Sequence, residues 1–403
     1  MGLRDNCIVN NGSDGDDFVG VRFENDDVFV RFPLGFKLSN TEAGLRSDIR
    51  LLCHALSLAQ KTDTRLANQN YDFNRQTIFP FSSYIYLIED FLDRGSYFVE
   101  PESYFDCNNG GKIHWRKTIK TQNGYLQPNG DLIFQNFVSK KNRLTDQKFL
   151  TMLHKYCVYV AFSKFGWLYT DYLPEKMMFS FDRNDALGRL SKAMERTYKD
   201  RDLRLFRALY DVINNDSSLM NLSTRFLFGT TSFEHVWEDM IDALFCNQEK
   251  DVFFPKTRYV LKDAPLYEKS PLIPDSIMSL GDSLYVIDSK YYRFGVTGLP
   301  SLLPNGSDIN KQITYGEYAY RIIKNTKKVF NCFVLPFSSE NNPFGVVGCT
   351  FYCPGYGVGL WRKNNLDFEK VTIVLADAKK IMKAYVGESL VDKYDFAKVI
   401  QDC

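Results

Sequence analysis

The sequence predicts an α/β (α+β) protein. A C-terminal domain built on a mixed central sheet follows an N-terminal region of mixed α+β and helical character. Three observations carry this expectation. From residue 230 onwards the periodicities run in the order α-β-β-β-α-β. Upstream, Thr145–Gly166, Asn184–Lys199 and Asp202–Ile213 read as successive helices. Near the start, two short apolar runs around a polar turn precede a helix-opening pattern. The best break between the halves is Asn214-Asn215-Asp216-Ser217-Ser218, which divides the chain into 1–216 and 217–403. The first part is expected to serve partner or DNA interaction and the second to carry the chemistry.

Length and composition fit this division. A chain of 403 residues is long enough for two or three domains. With 44% apolar and 15% aromatic residues, it has the material for packed cores. The net charge is only +1, so no global basic signature points to nucleic acid, and any DNA contact must rest on a local patch. No run of about 18 apolar residues is present, so no membrane helix is expected. The first seventeen residues are polar and acidic and read as a loose tail without a signal-peptide core. Nine scattered cysteines read as reduced, mostly buried thiols of a cytoplasmic protein.

In chain order, Phe18–Glu24 and Val28–Phe32 flank Asn25-Asp26-Asp27 as a hairpin. Ser39-Asn40-Thr41-Glu42 is a capping-box pattern, opening a helix with Leu45, Ile49, Leu52 and Leu56 on one stripe. A second helix is expected over Ser82–Arg94, stopped by Gly95. Gly110–Lys120 reads as a basic strand, with Asn123-Gly124 and Pro128-Asn129-Gly130 as turns and Asp131–Val138 as the return strand. Two readings stand for this segment. It is a solvated hairpin whose lysines protect an edge, or a basic finger that contacts DNA or a partner through Lys112, Arg116, Lys117 and Lys120.

The C-terminal half holds the chemistry. Phe233–Phe245 reads as a helix and Lys256–Leu261 as a strand. Ser276–Leu280 and Leu284–Ile287 flank Gly281-Asp282, a hairpin signal. In such a pair the start of one strand lies beside the end of the other, so Asp275 and Asp288 converge. Alternation puts Asp288 and Lys290 on one face. Two carboxylates and a lysine at one strand end suit a divalent metal and phosphodiester cleavage, because hard oxygen ligands hold Mg²⁺. Asp308 then opens a helix to about Asn325, and Lys328–Leu335 reads as a buried strand. Asp-x-Lys alone is weak evidence, since it also occurs at Asp146–Lys148 and Asp377–Lys379. Neither copy has a preceding Pro-Asp hairpin. Tyr291, Tyr292 and Phe294 read equally as a wedge against DNA or as packing. The chain has no Gly-x4-Gly-Lys-[Ser/Thr], so no nucleotide site is expected on it. Cys349-x3-Cys353 lacks a second pair and reads as packed thiol rather than zinc.

This element order, with Pro274-Asp275 on one strand and Asp288-Ser289-Lys290 on the next, resembles the PD-(D/E)xK restriction-endonuclease-like core (αβββαβ). The resemblance implies Asp275 and Asp288 as metal ligands, with the Ser289 backbone carbonyl as a further ligand. It implies Lys290 orienting or deprotonating the attacking water, and Glu238, with Glu234 as fallback, holding a metal-linked water or a second metal. Gln312 supports the site by position. The Gln-x-x-x-Tyr spacing of some relatives is not kept, because Tyr315 falls one residue early and Gly316 takes its place.

Gly111–Ile119, together with these C-terminal blocks, resembles the LlaJI-type restriction endonuclease family. Its members look like the McrC nuclease subunit of McrBC-like systems. The resemblance implies a type II/IV-like restriction endodeoxyribonuclease of bacterial anti-phage defence. It would use one or two Mg²⁺, act on double-stranded DNA, and work with a McrB-like AAA+ GTPase that the Lys112–Lys120 segment stimulates. Two further readings remain open at this stage: a repair or recombination nuclease with the same core, and a non-catalytic DNA-binding adaptor.

Overall fold

The computed structural model describes residues 3–12, 17–24, 27–62, 71–72, 80–107, 110–144, 147–215, 226–262, 267–269, 271–324, 326–363 and 365–403. The chain forms two compact units, one from residues 1–79 and 223–403 and one from residues 80–222. This differs from a contiguous division at 216, because the N-terminal segment packs with the C-terminal half. The reason is visible in the strands. The segment begins with β1 (Cys7–Val9), β2 (Val19–Glu24) and β3 (Asp27–Phe32), then α1 (Glu42–Thr62) and the short β4 (Tyr71–Asp72). β1 pairs in parallel with β3, so the expected loose tail is partly strand. In α1, Leu45, Ile49, Leu52 and Leu56 are all buried, as the stripe requires. Thr41 rather than Ser39 caps it, its Oγ1 accepting the Gly44 N–H at 3.1 Å.

The second unit opens with α2 (Phe81–Arg94), stopped at Gly95, which takes φ 63° and donates its N–H to the Phe91 carbonyl. β5 (Pro101–Cys107) follows, and then α3 (Trp115–Thr121). The basic strand expected over Gly110–Lys120 is therefore a helix for most of its length. Ile113 makes a single bridge to Ser139. His114 then turns the chain, its Nδ1 accepting the Lys117 N–H at 3.2 Å as a helix cap. Lys112, Arg116 and Lys120 are exposed, and Lys117 Nζ lies 3.5 Å from the centre of the Phe105 ring. β6 (Gly124–Leu126) and β7 (Leu132–Phe134) form a small hairpin, and β8 (Val138–Leu144) pairs antiparallel with β5.

Helices α4 (Phe149–Phe165), α5 (Arg183–Glu195) and α6 (Asp200–Asn215) complete the unit. α4 is buried around much of its circumference rather than on one side, including Thr151, His154, Val158 and Phe162. His154 Nδ1 accepts the Phe98 N–H at 2.9 Å, so its proton sits on Nε2, which is buried without a partner. Asp90, also buried, holds Arg94 at 2.6 Å and Arg201 at 2.7 Å.

The chain re-enters the first unit at β9 (Phe226–Thr230), which pairs with β2 and with β4. A five-stranded sheet β1-β3-β2-β9-β4 results. α7 (Phe233–Phe245) has the bounds expected from the sequence. The strand expected at Lys256–Leu261 is the short β10 (Thr257–Tyr259), paired only with β11 (Tyr267–Lys269). Every side chain of that ribbon is exposed, so it has no apolar face to offer a core.

The central sheet comes from β12 (Ser276–Leu280), β13 (Ser283–Ser289), β14 (Lys328–Phe337), β15 (Phe351–Val358) and β16 (Lys370–Asp377), in the order β12-β13-β14-β16-β15. It is mixed: β13, β14 and β16 run parallel, and β12 and β15 are antiparallel edges. All seven residues of β13 are buried, as for a strand covered on both faces. Between β13 and β14 lie the single turn α8 (Phe294–Thr297) and α9 (Gly306–Ile322). Asn305 caps α9 and Asp308 returns the bond to the Asn305 N–H, so Asp308 is the third helical residue rather than the cap. α10 (Ala378–Tyr385) and α11 (Lys393–Gln401) close the unit. Cys353 forms a disulfide with Cys403, which departs from the all-thiol expectation, and the other seven cysteines are free. No helix among the described residues is long and apolar enough to cross a membrane.

Candidate active site

The β12–β13 hairpin brings its two acids together as the turn chemistry demands. Gly281 takes φ 56°, which a side chain resists, and Ser276 lies opposite Ile287. Asp275 immediately precedes Ser276 and Asp288 immediately follows Ile287, so the pair meets at the open end. Asp275 Oδ2 accepts the Ser289 N–H at 2.7 Å. Lys290 Nζ reaches Asp288 Oδ2 at 2.7 Å and Asp308 Oδ1 at 3.6 Å, which confirms the common face of Asp288 and Lys290. Lys290 also extends the ladder, its N–H donating to the Val334 carbonyl at 2.9 Å.

The electrostatics are those of crowded acids. Burial, and next the Asp288 charge, push the Asp275 carboxyl up to about 7, with Glu238 adding to the rise. The Ser289 N–H and Lys290 oppose this without cancelling it. Burial alone would lower Lys290. The Asp288 charge and hydrogen bond, with Asp308 and Asp275, outweigh it and hold the ammonium above its ordinary range.

A cleft of about 450 Å³ opens beside this cluster. Glu238, Glu234, Ser289 and Lys290 line it, together with Asn10, Gly12, Asp17, Tyr292 and Arg293. Glu238 thus lines the cleft from α7, with Oε2 3.3 Å from His235 Nδ1. Asp275 and Asp288 stand one residue back, reaching the lining through Ser289 and Lys290. Gln312 is elsewhere. Its Nε2 donates to the Val286 carbonyl at 2.8 Å and more weakly to that of Cys332 at 3.5 Å, tying α9 to neighbouring strands. Gln312 thus ties α9 to β13 and makes no hydrogen bond to either acid among the described residues. Gln312→Leu is expected to lower stability by about 1 kcal/mol, measured by urea unfolding.

Two sequence ambiguities resolve here. The Leu34 N–H donates to the Tyr291 hydroxyl at 2.7 Å, and the Tyr291 ring lies 5.3 Å from that of Phe233. Burial pushes that phenol above its ordinary range, and Phe294 is also buried, so both pack. The missing Gln-x-x-x-Tyr tyrosine has a steric cause. A Cβ at Gly316 would fall 2.3 Å from Asn331 Nδ2. Tyr315 instead turns its hydroxyl to the Ile273 carbonyl at 2.9 Å.

The other Asp-x-Lys copy with described coordinates is structural. Asp377 Oδ1 accepts the Lys380 N–H at the start of α10, and its Oδ2 accepts the Ser339 N–H. Lys379 pairs with buried Asp48 at 2.7 Å. In the third copy, Asp146 lies outside the described residues.

Among the described residues, no three His, Cys, Asp or Glu side chains are already drawn together around a metal position. The donor chemistry nevertheless fits a hard cation. Asp288 and Glu238 raise the electrostatic cost of charge on Asp275, and a buried Ser289 Oγ is without a partner among the described residues. A cation at Asp288 Oδ2 would have to displace the Lys290 ammonium, which holds that oxygen at 2.7 Å. The N-terminal contribution to the cleft escaped the sequence reading. Its one signal was Asn10-Asn11-Gly12, a turn pattern inside the supposed tail.

The profile of the family described as LlaJI restriction endonuclease matches residues 18–379. The Bacillus subtilis (strain 168) protein described as type II restriction enzyme BsuMI component YdjA is 23% identical over 321 residues, covering 76% of this chain and 66% of that protein. A solved assembly of Thermococcus gammatolerans McrB AAA+ hexamers with bound McrC holds a chain that is 15% identical, with a TM-score of 0.40. That match covers 96% of this chain and 82% of the other. With the family profile spanning nearly the whole of it, the chain belongs to the LlaJI restriction endonuclease family.

Proposed function

We propose that this chain is the DNA-cutting subunit of a bacterial restriction system, with a PD-(D/E)xK site that hydrolyses phosphodiester bonds of double-stranded DNA. The observation that carries the proposal is the convergence of Asp275, Asp288 and Lys290 at the open end of the β12–β13 hairpin, beside a cleft that Glu238 lines. Asp275, Asp288 and the Ser289 carbonyl would hold Mg²⁺, with Glu238 as the adjacent carboxylate. When bound, the metal supplies Lewis-acid stabilisation of charge on the phosphate.

The chain's own groups do the rest. The Ser289 N–H fixes one Asp275 oxygen, Oδ2. Because its neighbours hold Lys290 protonated, this residue serves as a donor to a phosphate oxygen or to the attacking water rather than as a base. Gln312 keeps β13 in register from behind.

The LlaJI family membership further supports action with a separate McrB-like AAA+ GTPase, since the sequence has no P-loop of its own. The test is a pull-down from the host, followed by cleavage of methylated and unmethylated plasmid with Mg²⁺ and GTP. Cleavage is expected only with the partner and GTP. Cleavage by this chain alone without nucleotide would overturn the two-subunit assignment.

A further inference from the structure

Arg293 lies three residues beyond Lys290 and lines the same cleft. Its backbone is fixed at the start of α8, where its carbonyl accepts the N–H groups of Val296 and Thr297 at 3.0 Å. Its side chain is fixed by the N-terminal turn. An added Cβ at Gly12 would fall 2.8 Å from Arg293 Cδ and 3.3 Å from Nε. The chain therefore passes over the arginine stem at a position where φ is +65° and no side chain intervenes.

So confined, the guanidinium has no carboxylate partner among the described residues. Nε is buried without an acceptor. This contrasts with Lys290 in the same cleft, which Asp288 and Asp308 engage. A guanidinium that lines the cleft without a carboxylate partner among the described residues, beside a site for phosphodiester chemistry, suits the oxygens of a phosphate.

We propose that Arg293 binds a non-scissile backbone phosphate of duplex DNA flanking the bond to be cut. Arg293 is then a positioning residue. It fixes where along the strand the acids meet the backbone, and Gly12 keeps its reach constant. Asp17, Glu234 and Glu238 also line the cleft, so a phosphate entering it needs a cation beside it. The inference rests on the DNA-cleaving reading above and adds a phosphate subsite to it.

The experiment measures binding of the full chain to a labelled mixed-sequence duplex, with Ca²⁺ replacing Mg²⁺, over a range of salt. For Arg293→Ala, the slope of log K against log [salt] is expected to become shallower by about 0.9, with weaker binding across all sequences. Arg293→Lys should retain the slope, which a merely structural role would not predict. In a duplex series with single neutral methylphosphonate links, one position should remove the same increment from the wild type and nothing from Arg293→Ala. Equal slopes for wild type and a folded Arg293→Ala would overturn the phosphate subsite and leave the nuclease reading standing. A wild type with no salt-dependent DNA binding would overturn both.

Discussion

Asp288→Asn is expected to lower DNA cleavage by about 10³-fold or more while leaving the fold intact. The carboxylate lies within 2.7 Å of Lys290 and raises Asp275, so it touches the proposed donor and acts on the other proposed metal ligand. Asparagine keeps its shape and removes its charge. Lys290 does not become isolated, because Asp308 stands 3.6 Å away. Lys290→Ala is the less clean experiment. It leaves Asp288 buried and unpaired, at a stability cost of about 3 kcal/mol that would mix unfolding with lost chemistry. The measurement is plasmid cleavage with the partner present and phage restriction in cells, beside a thermal melt. Full restriction by Asp288→Asn would remove the metal-site assignment and favour a non-catalytic adaptor.

The second large effect is acid lability of the unit formed by residues 80–222. Burial holds His154 neutral in the folded protein, pushed down to about 4 from an ordinary value of 6.5. The unfolded chain therefore takes up a proton between these values that the folded chain refuses. Stability is full above pH 6.5 and falls as pH drops towards 4, by about 3 kcal/mol from this residue alone. Urea unfolding followed by tryptophan fluorescence between pH 4 and 7 should show this slope. His154→Gln, which keeps an acceptor for the Phe98 N–H, should flatten it. An unchanged slope in that variant would assign the acid sensitivity to other groups.

Where structure depends on local rules, the sequence was readable. The period of α7, the Gly281-Asp282 turn and the Gly95 stop are set within a few residues, and each stands where expected. The Asp288–Lys290 pair follows from the same hairpin. What escaped depends on distant contacts. Trp115–Thr121 has the β-branched and aromatic content of a strand, yet His114 caps it as a helix, and the Thr118 hydroxyl accepts the Val138 N–H. The missing Pro-Asp hairpin set Lys379 aside, but nothing local announced its pairing with Asp48, far away in sequence. Gln312 was placed on the right helix, but its amide serves strand carbonyls rather than acids. The place of Asn10 and Gly12 in the cleft follows from the β1–β3 pairing just before them, which no local pattern encodes.

That pairing has a consequence for the order of synthesis. The cleft takes Asn10, Gly12 and Asp17 from an early stretch of the chain, and Glu238, Ser289 and Lys290 from a stretch made more than two hundred residues later. Residues 80–222 form their own compact unit and can fold while translation continues. The cleft cannot form until its late half emerges. A nascent chain that stops short of Lys290 therefore has no assembled cleft, and whatever the cleft does arrives only after both of its halves have been made.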